Sequence, residues 1–190
     1  MTVSKKSISV ILPNFNGKDL LEEFIPSIVD ALNFSSIEFE FIVVDDQSTD
    51  TSVAFLEQQF PFITIVENEI NKGFSYSCNR GIQIAKNDLV FLVNSDVKLS
   101  LNYFENQLHY FDSNDTFGVM GQIKNYHTSK TEDTARYPKF KGVKLKATTF
   151  YYTTNPTDEI FTTYLSGANA LICSQKLKFL NGFDEIYSPF

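Results

Sequence analysis

Apolar and polar residues are arranged in alternating blocks along the first half of the chain. Four largely apolar runs predict buried strands, at residues 7–12, 39–44, 62–66 and 88–93. Between them, apolar residues at helical spacing predict helices, at residues 18–32, about 51–59 and about 74–85. Strands that alternate with helices are typical of a mainly parallel sheet with right-handed crossovers. We therefore expect an α/β fold with three layers, α/β/α, around a mainly parallel central sheet.

Two prolines interrupt this pattern, and the second half of the chain is less regular. Pro13 is expected to stop the first strand, and Pro26 to kink the first helix or delay its start. Further elements are predicted as a helix at 101–111, strands at 119–123 and 164–173, and a helix at 174–180 closed by Asn181-Gly182. The polar, Lys- and Tyr-rich residues 124–157 have no steady period and predict loops with an irregular hairpin.

Length and composition indicate one globular domain. The chain has 190 residues, 43% of them apolar, with 19 Phe and no Trp, which predicts an aromatic core. We divide residues 1–190 into a first half, 1–115, and a second half, 116–190. The net charge of −7 argues against nucleic acid as a partner.

Cysteine use and hydropathy narrow the class further. Cys78 and Cys173 form no Cys-x-x-Cys pair, so we expect neither a zinc site nor a redox pair, and both thiols reduced and buried. The sequence has no signal-peptide pattern and no apolar run near the ~20 residues of a spanning helix. A cytoplasmic location is the expectation.

Carboxylates follow two of the predicted strands. One strand runs into Asp45-Asp46 and another into Asn94-Ser95-Asp96. Ligands of open α/β sheets bind beyond the carboxyl ends of the strands. Asp96 could bind a divalent cation or cap a following helix, whereas Asp45 and Asp46 could accept from a ribose hydroxyl or base N–H, or cap a helix.

Four other features carry weaker signals. Phe15 could stack on a base or pack in the core, and Asn71-Lys72-Gly73 could hold a phosphate at a helix start or form an ordinary turn. No G-x-G-x-x-G or P-loop pattern is present. Of the two isolated histidines, His109 favours a structural role and His127 could reach a metal. The Lys and Tyr residues after 124 form a solvated face or contact an acceptor.

Seven segments, in this order, resemble the family 2 glycosyltransferases of the GT-A fold. They are SVILPNFNG (9–17), VVDDQSTD (43–50), NKGF (71–74), NRG (79–81), FLVNSDV (91–97), LSGA (165–168) and NGFDE (181–185). The resemblance implies inverting transfer of a sugar from a nucleotide diphosphate sugar to a glycan or lipid-linked glycan, in cell-surface polysaccharide synthesis.

The same resemblance implies roles for individual residues. Nucleotide-binding positions would be Pro13, Phe15, Asn16, Asp45, Asp46, Lys72, Gly73 and Asn94. The acceptor side would include Gly167, Ala168, Asp184 and Glu185. Asp96 would bind Mg²⁺ or Mn²⁺ against the diphosphate, and Asn94 stands where a full Asp-x-Asp signature has its first carboxylate.

The catalytic base is not assigned by this resemblance. In the family it lies in a Glu-Asp pair beyond the Gly-Phe-Asp-Glu motif, and the chain ends at Phe190 before such a pair. Asp184 matches a different, structural position. We expect a fragment that lacks its base, with an apolar patch that promotes self-association and with attachment to the inner face of a membrane through other parts or partners.

Two alternatives stay open from the sequence. One is a non-catalytic module that binds a nucleotide sugar. The other is a nucleotidyltransferase, which would require a Gly-rich, basic loop after the first strand that residues 14–17 do not supply.

Overall fold

A six-stranded sheet forms the centre of the protein, in a computed structural model that describes residues 6–136, 139–146 and 160–187. The strands are β1 (Ile8–Asn14), β2 (Phe39–Asp45), β3 (Thr64–Glu67), β4 (Leu89–Val93), β5 (Gly118–Met120), β6 (Ile123–Lys124), β7 (Thr131–Asp133), β8 (Lys139–Lys141), β9 (Lys144–Lys146) and β10 (Asn169–Cys173). The helices are α1 (Lys18–Phe34), α2 (Ser52–Gln59), α3 (Phe74–Ile84) and α4 (Ser174–Phe179). The sheet order is β3-β2-β1-β4-β10-β5.

The central strands are buried on both faces. Strands β3, β2, β1 and β4 are parallel, and β10 runs antiparallel to both of its neighbours. Ile8, Val10 and Leu12 of β1 pack in one core with α1 and α2, whereas Ile11 packs in a second core with α3 and α4. Near-continuous apolar runs are typical of such strands, because each face meets a layer of helices. The expected mainly parallel, three-layer α/β fold is confirmed.

The predicted stop of the first strand at Pro13 and the predicted late start of the first helix are wrong, whereas the kink at Pro26 stays a prediction. Strand β1 continues through Pro13 to Asn14 and pairs with β2 along this length. Its pairing with β4 covers only Ile8 to Ile11, so the missing N–H of Pro13 lies where no β4 partner is present. Helix α1 begins at Lys18 without delay and contains Pro26.

The helix predicted at 101–111 is also wrong. The segment forms consecutive turns and then a 3₁₀ helix, Leu108–Asp112. Phe104 is fully buried with its ring 5.2 Å from that of Phe91, and the Tyr103 hydroxyl donates to the Asn169 carbonyl at 3.2 Å. These tertiary contacts override the helical spacing.

The second half joins the same sheet as the first. Strand β10 lies between β4 and β5 and is shorter than predicted, because residues 164–168 form a loop. Where loops and an irregular hairpin were predicted, the structure has two short hairpins, β6–β7 and β8–β9. The remainder of that prediction, residues 147–157, lies outside the described residues.

Candidate donor-binding site

A cleft of about 410 Å³ opens at the carboxyl ends of β1, β2 and β4. It is lined by Pro13, Asn14, Phe15, Leu20, Asp46, Asn71, Gly73, Phe74, Ser77, Asn94, Ser95 and Asp96. The fold therefore brings the acids that follow two different strands to one cleft, as the topology of parallel strands dictates.

Asp46 is buried and accepts hydrogen bonds from the loop that precedes α3. Its carboxylate is 4% exposed, and Oδ1 accepts from Asn68 Nδ2 (2.7 Å) and the Lys72 amide (2.9 Å). Oδ2 accepts from the Gly73 amide at 2.7 Å. A carboxylate offers about four lone-pair sites, so Oδ2 keeps one for a ligand. Asp46 thus both fixes the loop before α3 and presents an acceptor to the cleft.

The loop that Asp46 fixes depends on glycine. Gly73 has φ 83° and ψ −178°, a conformation open almost only to glycine, and it precedes Phe74, the first residue of α3. Behind it, the Asn68 amide also donates to Ser77 Oγ (3.0 Å), while Arg80 donates to Asn68 Oδ1 (2.8 Å). Asn68 had no signal in the sequence, because its importance comes from contact with a distant carboxylate, whereas Arg80 belongs to the NRG segment (79–81) of the family resemblance.

Asp45 and Asn16 connect the two loops that flank the cleft. Asp45 is 1% exposed, and its Oδ2 accepts from Asn14 Nδ2 (2.8 Å) and Ser48 Oγ (2.6 Å). Asn16 Oδ1 accepts from the amides of Thr49 (2.7 Å) and Asp50 (3.3 Å). Neither residue lines the cleft. Both instead tie the loop after β1 to the loop after β2.

Asp96 lines the same cleft, after the strand on the other side of β1, and its surroundings differ from those of Asp46. It is exposed, and within the described parts of the chain its carboxylate has no hydrogen-bond or ion-pair partner. Two residues before it, Asn94 Oδ1 is buried and accepts no hydrogen bond from the residues that the structure describes, while the Asn94 backbone N–H donates to the Ala168 carbonyl at 3.2 Å. An unpaired carboxylate and an orphaned amide oxygen on one short segment are hard oxygen donors of the kind that Mg²⁺ and Mn²⁺ prefer.

These oxygens do not form a complete cage. Among residues 6–136, 139–146 and 160–187, no three His, Cys, Asp or Glu side chains cluster as metal ligands do. Mg²⁺ is commonly bound by one or two carboxylates together with substrate phosphates, so the residues present fit a cation that arrives with a diphosphate.

Phe15 and Lys72 flank the cleft. The Phe15 ring is 54% exposed, which excludes the core-packing alternative and leaves a face for a planar ligand. Lys72 contributes its backbone amide to Asp46, while its ammonium lies 4.3 Å from the centre of the Tyr76 ring. Lys72 is not among the lining residues.

The expected acceptor-side residues lie beside the cleft rather than in it. The Cα of Gly167 packs against the ring of Phe74, and a Cβ at Gly167 would lie 3.0 Å from that ring. Asp184 accepts from the Ile186 amide (3.0 Å), and Glu185 accepts from Asn79 Nδ2 (2.8 Å). Gly167 also borders a second, mainly apolar cavity of about 360 Å³.

Asn79 links helix α3 to this acceptor-side segment. Its amide donates to the Phe183 carbonyl (2.9 Å) and accepts from the Phe183 amide (2.8 Å), and the Phe183 ring meets Phe74 edge to face. Helix α3 therefore contributes its first residue, Phe74, to the cleft, and its Asn79 holds residues 183–185 by hydrogen bonds.

The remaining sequence predictions concern thiols, histidines and membrane spans. Both cysteines are unpaired, and burial raises the pKa of the Cys78 thiol, whereas Cys173 is half-buried rather than buried as predicted. His109 packs on Tyr110 and His127 on Tyr126, and neither lines the cleft. No helix in the described parts of the chain combines the length and apolar content needed to cross a bilayer.

This fold and cleft define an α/β domain of the GT-A type. The chain belongs to glycosyl transferase family 2, whose family model matches residues 9–179.

Curated relatives include two glycosyltransferases of Bacillus species. The chain is 28% identical over 121 residues to a poly(ribitol-phosphate) beta-glucosyltransferase of Bacillus spizizenii, covering 62% of this chain and 19% of that protein. It is 33% identical over 113 residues to the putative teichuronic acid biosynthesis glycosyltransferase TuaG of Bacillus subtilis, covering 58% and 44%. The matched segments thus span less than half of either relative.

Solved structures share the fold at low identity. S. aureus TarS, residues 1–349, superposes with a TM-score of 0.67 at 21% identity, over 94% of this chain and 50% of that chain. A mannosyltransferase from Pyrobaculum calidifontis, in complex with GDP-Man and Mn²⁺, gives 0.70 at 18% identity, over 96% and 49%.

Proposed function

We propose that the chain binds a nucleotide diphosphate sugar in the cleft and forms the donor-binding part of an inverting glycosyltransferase. The observation that carries the proposal is the convergence of an exposed ring, Phe15, a buried acceptor, Asp46, and an unpaired carboxylate, Asp96, on one cleft. An aromatic face, a hydrogen-bond acceptor and a cation ligand are the three groups that a base and a diphosphate require.

The nucleoside is held at the Asp46 end of the cleft. The base stacks on Phe15, and the remaining lone pair of Asp46 Oδ2 accepts from a base N–H or a ribose hydroxyl. Uracil, thymine and guanine each present a ring N–H to such an acceptor, and we propose uridine and thymidine diphosphate sugars as the first donors to test.

The diphosphate is held at the Asp96 end. Asp96 would bind Mg²⁺ or Mn²⁺ together with the phosphates, and the orphaned oxygen of Asn94 lies in the same wall. Such a cation supplies Lewis-acid stabilisation of the leaving diphosphate. The mannosyltransferase with GDP-Man and Mn²⁺ supports this assignment.

The acceptor approaches from the side of Gly167 and Ala168, with Asp184 and Glu185 in the next layer. We propose a glycan or lipid-linked glycan of a cell-surface polymer as the acceptor, supported by the two Bacillus relatives. Inversion requires a base that removes the acceptor proton as the hydroxyl attacks. We assign no residue to that role, and self-association and membrane attachment stay predictions.

The absence of tryptophan from the sequence allows a site-specific binding test. Phe15→Trp introduces a single reporter into the cleft, and Phe62→Trp, on an exposed ring (52%) that does not line the cleft, is the matched control for nucleotide absorbance. We expect saturable quenching of the first variant by UDP or TDP, and none of the second.

Manganese provides the second arm of the test. Mn²⁺ should tighten UDP binding at least about tenfold, and Asp96→Ala should abolish that gain. Calorimetry on the unmodified chain that detects no nucleoside diphosphate, with or without Mn²⁺, would refute the proposal. Diphosphate binding without turnover of a donor sugar, even in a chain extended beyond Phe190, would favour the non-catalytic module instead.

A further inference from the structure

The turn between β6 and β7 presents two aromatic side chains to solvent on a fixed backbone. Asn125 Oδ1 accepts from the amides of His127 (3.1 Å) and Thr128 (2.9 Å) and from the Thr128 hydroxyl (3.0 Å). The backbone N–H of Asn125 donates to the Lys130 carbonyl at 2.8 Å and closes the turn. The loop is therefore ordered before any ligand binds, which lowers the entropic cost of binding.

Tyr126 is the large aromatic side chain that this turn exposes. Its side chain is 63% exposed, and its ring lies 5.3 Å from that of His127, edge to face. A large aromatic held in water by a rigid turn loses no packing energy when a ligand covers it, and it gains burial of its apolar face.

Lys98 connects this turn to the donor cleft. The Lys98 ammonium lies 5.3 Å from the centre of the Tyr126 ring. Lys98 follows Asp96 by two positions, so their Cα atoms are at most about 7 Å apart. The Tyr126 ring thus lies one lysine side chain away from the segment that carries the proposed cation ligand.

We propose that Tyr126, His127 and Lys98 form an acceptor subsite that binds a sugar unit of an anionic glycan. The apolar C–H face of a pyranose packs on Tyr126, His127 hydrogen-bonds ring hydroxyls, and Lys98 pairs with a carboxylate or phosphate of the glycan. The inference rests on the proposed function. If the nucleotide lies at the Asp46 end of the cleft, the acceptor is the substrate that extends beyond Asp96 on the other side.

The surrounding charges favour an anionic ligand. Lys124 and Lys130, at the ends of the turn, are exposed, and Glu132 of β7 accepts from Asn125 Nδ2 at 2.7 Å. None of the three proposed subsite residues lines the donor cleft, so the two sites can be occupied together.

A second single-tryptophan variant tests the subsite. Tyr126→Trp keeps a stacking ring in a chain that has no other tryptophan. Its fluorescence is titrated with a carboxylate-bearing hyaluronan tetrasaccharide and with neutral chitotetraose. We expect saturable binding of hyaluronan, at least about fivefold tighter than of chitotetraose, with Lys98→Gln in the same background removing the difference.

Two further measurements separate the possible outcomes. Saturation-transfer NMR on the unmodified chain should detect the hyaluronan tetrasaccharide, and Tyr126→Ala should abolish the signal without moving the unfolding midpoint. The inference is overturned when neither sugar binds Tyr126→Trp saturably, or when binding is the same in Tyr126→Ala.

The donor test keeps this result distinct from the proposed function. If Phe15→Trp still binds UDP while Tyr126→Trp binds no sugar, the subsite is refuted and the donor site is not. Sugar binding at Tyr126 with no diphosphate bound to the unmodified chain refutes the donor site alone. Lys98→Gln should leave UDP affinity within about twofold, because Lys98 does not line the cleft.

Discussion

The two acids of the cleft both follow parallel strands of the sheet, but Asp46 is buried and Asp96 is exposed. Asp46 follows β2 and is buried under three donors from Asn68, Lys72 and Gly73, whereas Asp96 follows β4 and is exposed with no partner in the described part of the chain. Both are strand-end carboxylates that line one cleft.

The difference shows how a strand-end position can serve two purposes. A carboxylate that accepts several backbone amides organises the loop around it, so its removal affects folding. A carboxylate left exposed costs little to keep charged and stays available to a cation. The comparison predicts that loss of the Asp46 carboxylate lowers stability, whereas loss of the Asp96 carboxylate removes the metal dependence of binding.

The largest effect is expected from Asp46→Ala. It leaves the amides of Lys72 and Gly73 and the side chain of Asn68 without an acceptor, and an unpaired buried donor costs roughly 1–3 kcal/mol. We expect a loss of about 3 kcal/mol in the free energy of unfolding, measured by urea denaturation, together with loss of diphosphate binding.

Asp46→Asn is the matched control, since it preserves shape and one acceptor oxygen and should lose less than the alanine variant. A loss below about 1 kcal/mol for Asp46→Ala would contradict the organising role of this carboxylate.

A smaller effect is expected from Gly73→Ala. The backbone at Gly73 (φ 83°, ψ −178°) strains any residue with a Cβ, at a cost of about 1–3 kcal/mol. Gly142→Ala is the control, because Gly142 lies in a left-handed turn (φ 62°) with no atom of the described residues within 4 Å of an added Cβ.

Thermal denaturation should rank the two variants, with Gly73→Ala the less stable. Only Gly73→Ala should weaken UDP binding, because Gly73 donates to Asp46 in the cleft wall. Equal losses of UDP affinity in both variants would mean that the loop before α3 does not shape the donor site.

The smallest effect on stability is expected from Asp96→Ala. An exposed residue with no partner should change the free energy of unfolding by less than about 0.5 kcal/mol. Asp115→Ala, a second exposed acid outside the cleft, is the control for general charge effects. Only Asp96→Ala should lose the Mn²⁺-dependent gain in UDP affinity measured by calorimetry, and a destabilisation comparable to that of Asp46→Ala would overturn the contrast.

The sequence was sufficient for the four parallel strands, β1 to β4, and for the strand ends that carry both acids. The apolar runs that end in Asp46 and Asp96 belong to central strands, and such runs are specified by burial on both faces. Helix α3 was likewise predicted from its apolar spacing after Gly73, with its start confirmed at Phe74.

The state of each acid could not be predicted, because it depends on partners far along the chain. Asp46 meets Gly73, 27 positions later, through backbone amides that carry no side-chain signal. The wrong helix at 101–111 has a related cause, since Tyr103 and Phe104 are held by Asn169 and Phe91 rather than by helical neighbours. Local periodicity cannot report such long-range contacts.

The insertion of β10 beside β4 has a consequence for biosynthesis. Until Asn169–Cys173 leaves the ribosome, one hydrogen-bonding edge of the Leu-Val-Phe-Leu-Val strand β4 has no neighbour. An unpaired, wholly apolar edge is a template for pairing with other nascent chains. Translation that pauses between β4 and β10 should therefore raise the aggregated fraction, and a chaperone that covers β4 during that interval should lower it.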